Sequence, residues 1–155
     1  MVVQIDTREH KFELARIQRQ IEREGVKTFL LKLDVGDYCD PDNPSVCIDR
    51  KKDLSELCSN VTQQHERFRR ELVRAIEHGV HLIILIEHGP DINSLEDIYF
   101  WENPRLEKSP KATTGEQLYK SLVTMQERYG VQFEFCDKRH TGKKIIELLE
   151  GARSG

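Results

Sequence analysis

The sequence lacks the features of a membrane protein and of a secreted protein. Its longest apolar run covers residues 82–86, far below the roughly 18–20 residues that cross a bilayer. The first ten residues, MVVQIDTREH, have neither a basic start nor a long apolar stretch, so they do not resemble a signal peptide. We therefore expect a cytoplasmic protein that does not associate with membranes.

The cysteines do not have the spacing of a structural zinc site. Cys39, Cys47, Cys58 and Cys136 include no CxxC pair, which is the spacing that zinc modules commonly use. We expect them to be free thiols in a reducing compartment.

An excess of positive charge is also missing. The chain has 24 Lys and Arg against 27 Asp and Glu, a formal net charge of −3, which excludes a globally basic nucleic-acid binder. Net charge does not describe how charges are distributed, so a local basic face stays open. A length of 155 residues, with 37% apolar residues, fits a single domain with one core.

The order of the apolar patterns predicts an α/β fold with a central mixed sheet and helices on both faces. Strands are predicted at residues 2–5, 27–33, 36–39, 46–51, 81–87 and 131–136. Helices are predicted at residues 12–24, 53–78 with a bend near 59–60, 115–129 and 142–149. We expect one domain over residues 1–150 and a frayed tail at 151–155. Residues 88–114 contain three prolines and the single tryptophan, which indicates a functional loop or an insertion.

A hairpin is predicted on either side of the turn DPDNPS. Symmetric pairing about Asn43 places Asp37 opposite Asp49 and Cys39 opposite Cys47. Opposed residues in a sheet have Cβ atoms about 4.5–5.5 Å apart, so the two carboxylates would repel each other. A divalent cation would offset the repulsion, because Mg²⁺ takes oxygen ligands from one or two carboxylates and keeps several waters.

Strand alternation adds Lys51 to the face that carries Asp49. A lysine beside a metal-bound water can orient that water and stabilise charge on a phosphate. Asp6 could join from the first strand, and Arg8 or Arg50 could hold a phosphate as a planar fork. The alternative interpretation is a pair of solvated strands with ordinary surface charge.

Three motifs in order resemble the nuclease domain of XPF-type endonucleases: IDTRE (5–9), VGDY (35–38) and IDRK (48–51). The similarity continues through LSEL (54–57), ERFRREL (66–72) and LIILIE (82–87). The resemblance implies a restriction-endonuclease-like, PD-(D/E)-x-K fold, which is a three-layer α/β/α arrangement around a mixed sheet. It also implies an endonuclease that uses Mg²⁺ or Mn²⁺ to cut branched DNA, such as flaps, forks or junctions, in repair or recombination.

By position in these motifs, the resemblance implies metal-binding roles for Asp37 and Asp49, with Asp6 as an additional acid. Lys51 would be the catalytic lysine, and Arg8 and Arg50 would be supporting basic groups. The role of Glu9 is open. The family usually has Glu where this chain has Asp49, and the acid that normally follows the E-R-K motif falls on Ser55. Glu56 and Asp53 are both candidates to replace that acid.

Local basic clusters supply candidates for contacts to DNA phosphates. They are Arg67, Arg70, Lys138, Arg139 and Lys143, in addition to Arg8 and Arg50. No helix-hairpin-helix module, which many relatives carry, follows in this sequence. The substrate would then be selected by the nuclease core itself, by the 88–114 loop, by the second subunit of a homodimer or by a DNA-targeting partner protein. A compact bacterial or phage-encoded enzyme is expected. The alternative function is a catalytically inactive XPF-like DNA-binding or dimerisation partner. The other alternative is an unrelated fold whose match to these motifs is accidental.

Overall fold

A computed structural model describes residues 1–154. Six strands form one sheet: β1 (Val2–Ile5), β2 (Lys27–Leu30), β3 (Tyr38–Cys39), β4 (Val46–Lys51), β5 (His81–Ile86) and β6 (Gln132–Phe135). Their order across the sheet is β2-β1-β3-β4-β5-β6. The short β3 runs antiparallel to both of its neighbours, while the other pairs are parallel. The predicted mixed central sheet is confirmed.

Five helices cover the two faces: α1 (Lys11–Arg23), α2 (Leu54–Val61), α3 (His65–Glu77), α4 (Gly115–Tyr129) and α5 (Thr141–Ser154). The alternating side chains of β5 divide the core into two layers. Ile84 and Ile86 pack with residues of α2, α3 and α4, whereas Ile83 and Leu85 pack with residues of α1 and α5. This is the expected three-layer α/β/α arrangement. None of the helices in the described range is long and apolar enough to span a membrane.

The helix predicted over residues 53–78 is two helices. It breaks after Val61, slightly later than the expected bend, where the Thr62 hydroxyl donates to the Cys58 carbonyl at 2.7 Å. Asp53 caps α2 as predicted, because its carboxylate accepts a hydrogen bond from the Glu56 amide at 2.8 Å.

The last helix is longer than predicted. It continues past Leu149 to Ser154, where a frayed tail was expected, and Gly155 lies outside the described residues. The extension has a tertiary partner, since the Arg153 guanidinium pairs with Asp40 and with Asp42 in the hairpin turn. The sequence separation between these residues hides that interaction from local patterns.

Residues 88–114 form a packed insertion that contains two 3₁₀ turns, Glu96–Phe100 and Pro104–Glu107. Ile98 is fully buried, and Trp101 is half-buried against the core. Gly115 permits this packing, because a Cβ at that position would lie 2.5 Å from the carbonyl oxygens of Ile98 and Trp101. The insertion is therefore part of the fold.

Contact between α1 and α5 predicts a difference between two glycines of α5. A Cβ on Gly142 would lie 2.5 Å from Gln20 Cβ and 2.8 Å from Ile21 N, whereas a Cβ on Gly151 would meet nothing within 4 Å. We expect Gly142→Ala to lower the free energy of unfolding by about 1–3 kcal/mol. Gly151→Ala should leave it unchanged or raise it by up to about 1 kcal/mol. Urea denaturation measures both, and equal stabilities would contradict the close helix contact.

Candidate active site

An open cleft of about 870 Å³ lies at the end of the sheet where the central strands β1 and β4 terminate. Asp6 directly follows β1 and Lys51 ends β4, and these two strands point in the same direction. Asp37 directly precedes the antiparallel β3, so it lies at the same end of the sheet. All three residues line the cleft together with Asp49. Ligands of open α/β sheets commonly bind outside the carboxyl ends of the strands.

The β3–β4 hairpin has the predicted register. Tyr38 pairs with Ile48, and Cys39 pairs with Cys47. Asp37 extends this pairing, since its amide donates to the Ile48 carbonyl at 2.8 Å and its Oδ2 accepts from the Arg50 amide at 2.8 Å. These backbone contacts hold Asp37 beside Asp49.

Gly36 allows the chain to approach β4 this closely. It has a φ of +73°, a conformation that favours glycine, and a Cβ there would lie 3.0 Å from the Ile48 carbonyl oxygen. The glycine that precedes Asp37 is therefore required for the position of the carboxylate.

The two carboxylates are in an unfavourable electrostatic environment. Burial raises the pKa of Asp37 well above its ordinary value, and the neighbouring charge of Asp49 raises it further. The Oδ2 atom of Asp49 is buried and accepts no hydrogen bond of good geometry from the described residues. Lys51 Nζ lies 3.1 Å from that oxygen as an ion pair. An unsatisfied buried carboxylate oxygen next to a second acid indicates a place for a cation.

Lys51 is held in its charged form. Only 8% of the residue is exposed, and Nζ lies 5.4 Å from the centroid of the Phe68 ring. Burial alone would lower the pKa of Lys51, but the Asp49 carboxylate, together with Glu71 and Glu56, raises the pKa above its ordinary value. Lys51 therefore carries a positive charge into the cleft at neutral pH.

Asp6 lines the cleft, but its carboxylate is already occupied. Oδ1 accepts from the Leu33 amide at 2.8 Å, and Oδ2 accepts from Arg8 Nε at 3.0 Å. Burial would raise the pKa of Asp6, but these hydrogen bonds bring it below its ordinary value. The arrangement fits Asp6 to orienting Arg8 and the 31–33 segment better than to binding a metal directly. Arg8 keeps most of its surface exposed.

Arg50, for which a phosphate-binding role was predicted, lines the cleft, but its guanidinium is directed away from Asp49 and Lys51. Strand alternation directs its side chain to the opposite face of the sheet, where Nε and Nη2 each donate to the Glu9 carboxylate at 3.1 Å. Its Nη1 donates to Glu87 at 2.5 Å. Only 8% of the side chain is exposed and the guanidinium is paired with these acids, so phosphate binding by Arg50 stays a prediction that its present partners disfavour.

The ionic network on that opposite face escaped sequence analysis. Glu87 has a fully buried side chain and also accepts from Arg16 at 2.6 Å and from the Thr141 hydroxyl. Glu9, whose role was open, accepts from Arg50 and from the Tyr38 hydroxyl at 2.9 Å. The network joins β4 to α1, to α5 and to the segments that follow β1 and β5, and two of its members, Glu9 and Arg50, also line the cleft. The only sequence signal was an acid at the end of the buried run 82–86.

The predicted basic residues divide into two groups. Arg67 is exposed and lines the cleft. Arg70 is also exposed, but it does not line the cleft. Arg74, one turn further along α3, does line it. The second group lies outside the cleft, on the 3₁₀ turn Lys138–His140 and at the start of α5, and comprises Lys138, Arg139 and Lys143. Arg139 pairs with Asp137 at 3.0 Å.

Two further acids line the cleft. Glu56 accepts a hydrogen bond from the Lys52 amide at 3.1 Å, so it contributes to the start of α2. Glu71 on α3 was not singled out from the sequence. Burial and then the charge of Asp49 raise the pKa of Glu71. Both residues are placed where they could replace the acid that is missing after the D-R-K motif.

The donor set of the cleft fits a small divalent cation. Within residues 1–154, no group of three or more His, Cys, Asp and Glu side chains is arranged to hold a metal ion. The candidate ligands are therefore a pair, Asp37 and Asp49. Mg²⁺ commonly binds proteins through one or two carboxylates and retains several waters, which agrees with an open cleft, a repelling acid pair and a buried Asp49 oxygen that accepts no hydrogen bond from the described residues.

Comparison with known proteins gives matches to one family. The sequence model of the ERCC4 domain matches residues 5–149. Among solved structures, XPF from Aeropyrum pernix is similar, with a TM-score of 0.68 and 23% identity over 98% of this chain and 61% of that chain. The same protein in complex with DNA has a TM-score of 0.69 and 23% identity over 99% and 65% of the two chains. This chain thus spans less than two thirds of the length of these relatives. No curated protein sequence matches.

Loss of Glu87 should destabilise the fold strongly. Glu87→Ala would leave Arg16 and Arg50 without their shared buried partner, and removal of one member of a buried ion pair commonly costs about 3–5 kcal/mol. Glu134→Ala is a matched control, because Glu134 is partly exposed and pairs with Lys144 at 3.6 Å. Its loss should cost less than about 1 kcal/mol. Urea denaturation that gives equal losses would contradict a structural role for the network.

Repulsion at Asp37 predicts a pH-dependent gain from its neutralisation. A carboxyl group whose pKa is higher in the folded state than in the unfolded state lowers the free energy of unfolding once the pH rises above its unfolded-state pKa of about 3.9. In EDTA, Asp37→Asn should therefore stabilise the protein at pH 8, and the gain should shrink as the pH approaches 4. Asp42→Asn, in the exposed turn of the same hairpin, should give no such gain. Urea midpoints at both pH values test this, and a destabilised Asp37→Asn at pH 8 would contradict it.

Proposed function

The chain belongs to the ERCC4 domain family, and on that premise we propose that it is a divalent-metal-dependent DNA endonuclease that hydrolyses phosphodiester bonds. The observation that carries this proposal is the cluster of Asp37, Asp49 and Lys51 in an open cleft. Two acids that repel each other beside a protonated lysine are suited to a cation and a phosphate, and no packing role explains them.

In this proposal Asp37 and Asp49 hold Mg²⁺ or Mn²⁺. When bound, such a cation lowers the pKa of a coordinated water and neutralises charge on the scissile phosphate. The chain contributes the positions of both carboxylates, since the backbone of Ile48 and Arg50 fixes Asp37. Asp6 acts through Arg8, which it orients, and it is the weaker candidate for a direct ligand.

Lys51 stabilises negative charge that develops on the phosphate. Its raised pKa keeps the ammonium charged at neutral pH, so it is suited to electrostatic stabilisation rather than to removing a proton from water. A nearly buried ammonium group that is fixed in position stabilises a developing anion more than the same charge does in water.

DNA phosphates on either side of the scissile bond would contact the basic residues of the cleft walls. Arg8 lies on one side, and Arg67 and Arg74 on α3 lie on the other. We assign Lys138, Arg139 and Lys143 to an outer contact with a longer duplex arm. Because the charges are exposed, binding should weaken with increasing salt.

The proposed substrate is branched DNA, with a role in repair or recombination. One similar structure is described as XPF in complex with DNA, which supports DNA as the ligand class for this chain. A homodimer or a DNA-targeting partner protein is proposed as a source of further contacts to the DNA. We place the activity in the cytoplasm of a bacterium or of a phage-infected cell.

A catalytically inactive DNA-binding or dimerisation partner is the alternative. Such a partner has no need for the acids and the lysine of the cleft. The presence of Asp37, Asp49 and Lys51 together, with Lys51 buried and charged, favours the enzyme.

Cleavage assays on labelled fork, flap and linear duplex DNA test the proposal. Wild-type protein should cut at least one branched substrate with Mg²⁺ or Mn²⁺ and none in EDTA. Asp37→Ala, Asp49→Ala and Lys51→Ala should each lower the cleavage rate by about a hundredfold or more, while DNA binding in EDTA persists.

Asp42→Ala is the matched control, because this acid lies in the same hairpin but is exposed and outside the cleft. Its cleavage rate should equal that of the wild type. Cleavage that survives in Asp49→Ala would contradict the assigned site. Binding without cleavage under either metal would favour the inactive partner.

A further inference from the structure

Phe12 is a large apolar side chain that does not pack into either core layer of the fold. It is 81% exposed and belongs to neither of the two core clusters. Exposing an aromatic ring of this size gains nothing for the folded state, because burial of apolar surface is the favourable process. Residues of the same helix that pack, such as Ile17 and Ile21, are completely buried. The position therefore has room for a ligand rather than a role in the core.

The ring of Phe12 is not itself part of the cleft lining, but it stacks on a residue that is. It stacks on the His10 imidazole, with ring centroids 5.9 Å apart and planes inclined by 28°. His10 itself lines the cleft next to Arg8 and Glu9. The pair of rings is thus continuous with the site that contains Asp37, Asp49 and Lys51.

Two nearly parallel rings at the edge of a nuclease cleft are suited to a nucleobase. Stacking of a base on an aromatic side chain is worth about 1–3 kcal/mol and tolerates any base sequence. In the interior of a duplex both faces of each base are already stacked, so they are not available. An unpaired base at a branch point has a free face, and the exposed Arg8 guanidinium nearby can take its phosphate.

We propose that His10 and Phe12 form a stacking platform for an unpaired base next to the phosphodiester bond in the cleft. The platform makes the chain prefer DNA at the point where a single strand leaves a duplex. This inference rests on the proposed nuclease function and adds a physical basis for its substrate preference, located in the domain itself.

The test compares binding of two DNA molecules with Ca²⁺ in place of Mg²⁺. One is a fork with 2-aminopurine at the first unpaired position, and the other is a hairpin-closed duplex of equal charge without unpaired bases at a branch. Wild-type protein should bind the fork more tightly and quench the 2-aminopurine fluorescence. Phe12→Ala should weaken fork binding about tenfold, leave duplex binding unchanged and abolish the quenching.

Three variants separate stacking from other effects. Phe12→Tyr keeps an aromatic ring and should retain fork preference, whereas Phe12→Leu keeps apolar bulk without a ring and should behave like Phe12→Ala. Phe100→Ala removes a ring that is equally exposed, at 81%, but lies in the 88–114 insertion against Tyr99. It should bind both DNA molecules as the wild type does.

The outcomes distinguish this inference from the proposed function. If the wild type cleaves forks and Phe12→Ala keeps the full preference for the fork, the stacking platform is overturned and the proposed nuclease function is not. Equal losses on fork and duplex in Phe12→Ala, or full preference in Phe12→Leu, also overturn it. A wild type that neither binds nor cleaves any of these DNA molecules overturns both proposals.

Discussion

The cleft depends on two carboxylates that are held together against their mutual repulsion. Asp37 is fixed by backbone groups of β4, and Gly36 supplies the close approach that this contact needs. The two charged carboxylates repel each other, as the raised pKa of Asp37 indicates, and Asp49 Oδ2 accepts no hydrogen bond from the described residues. The antiparallel pairing of a two-residue strand must therefore be stabilised by its surroundings. Buried Tyr38 and Ile48 in that pairing supply apolar contacts on the opposite face.

Strand β4 has different chemical roles on its two faces. Asp49 and Lys51 face the cleft, and between them Arg50 turns to the other face and binds Glu9 and Glu87. The ionic network anchors the strand end that carries Asp49 and Lys51, because Glu87 also accepts hydrogen bonds from Arg16 of α1 and Thr141 of α5. The position of the cleft residues and the packing of the back layer are consequently linked through one peptide segment.

Local patterns in the sequence were sufficient for the strands, for most helices and for the hairpin register, since alternation and turn residues act over short distances. The pairing of Cys39 with Cys47 followed from that logic. Long-range partners were not accessible in the same way. The direction of the Arg50 side chain depends on its ion pair with Glu87. The length of α5 depends on the contact between Arg153 and Asp40. Whether Arg74 or Arg70 lines the cleft depends on the rotation of α3 about its axis. Glu71 joined the cleft for the same reason.

The central claim is that the repelling pair Asp37 and Asp49 is a binding site for a divalent cation. Anomalous diffraction from crystals of the protein soaked in Mn²⁺ tests this directly, because it locates the metal without reliance on activity. The account predicts a peak in contact with carboxylate oxygens of both Asp37 and Asp49, and its disappearance in Asp49→Asn. A structure at saturating Mn²⁺ with no peak between these residues, or with the metal bound elsewhere, would contradict it.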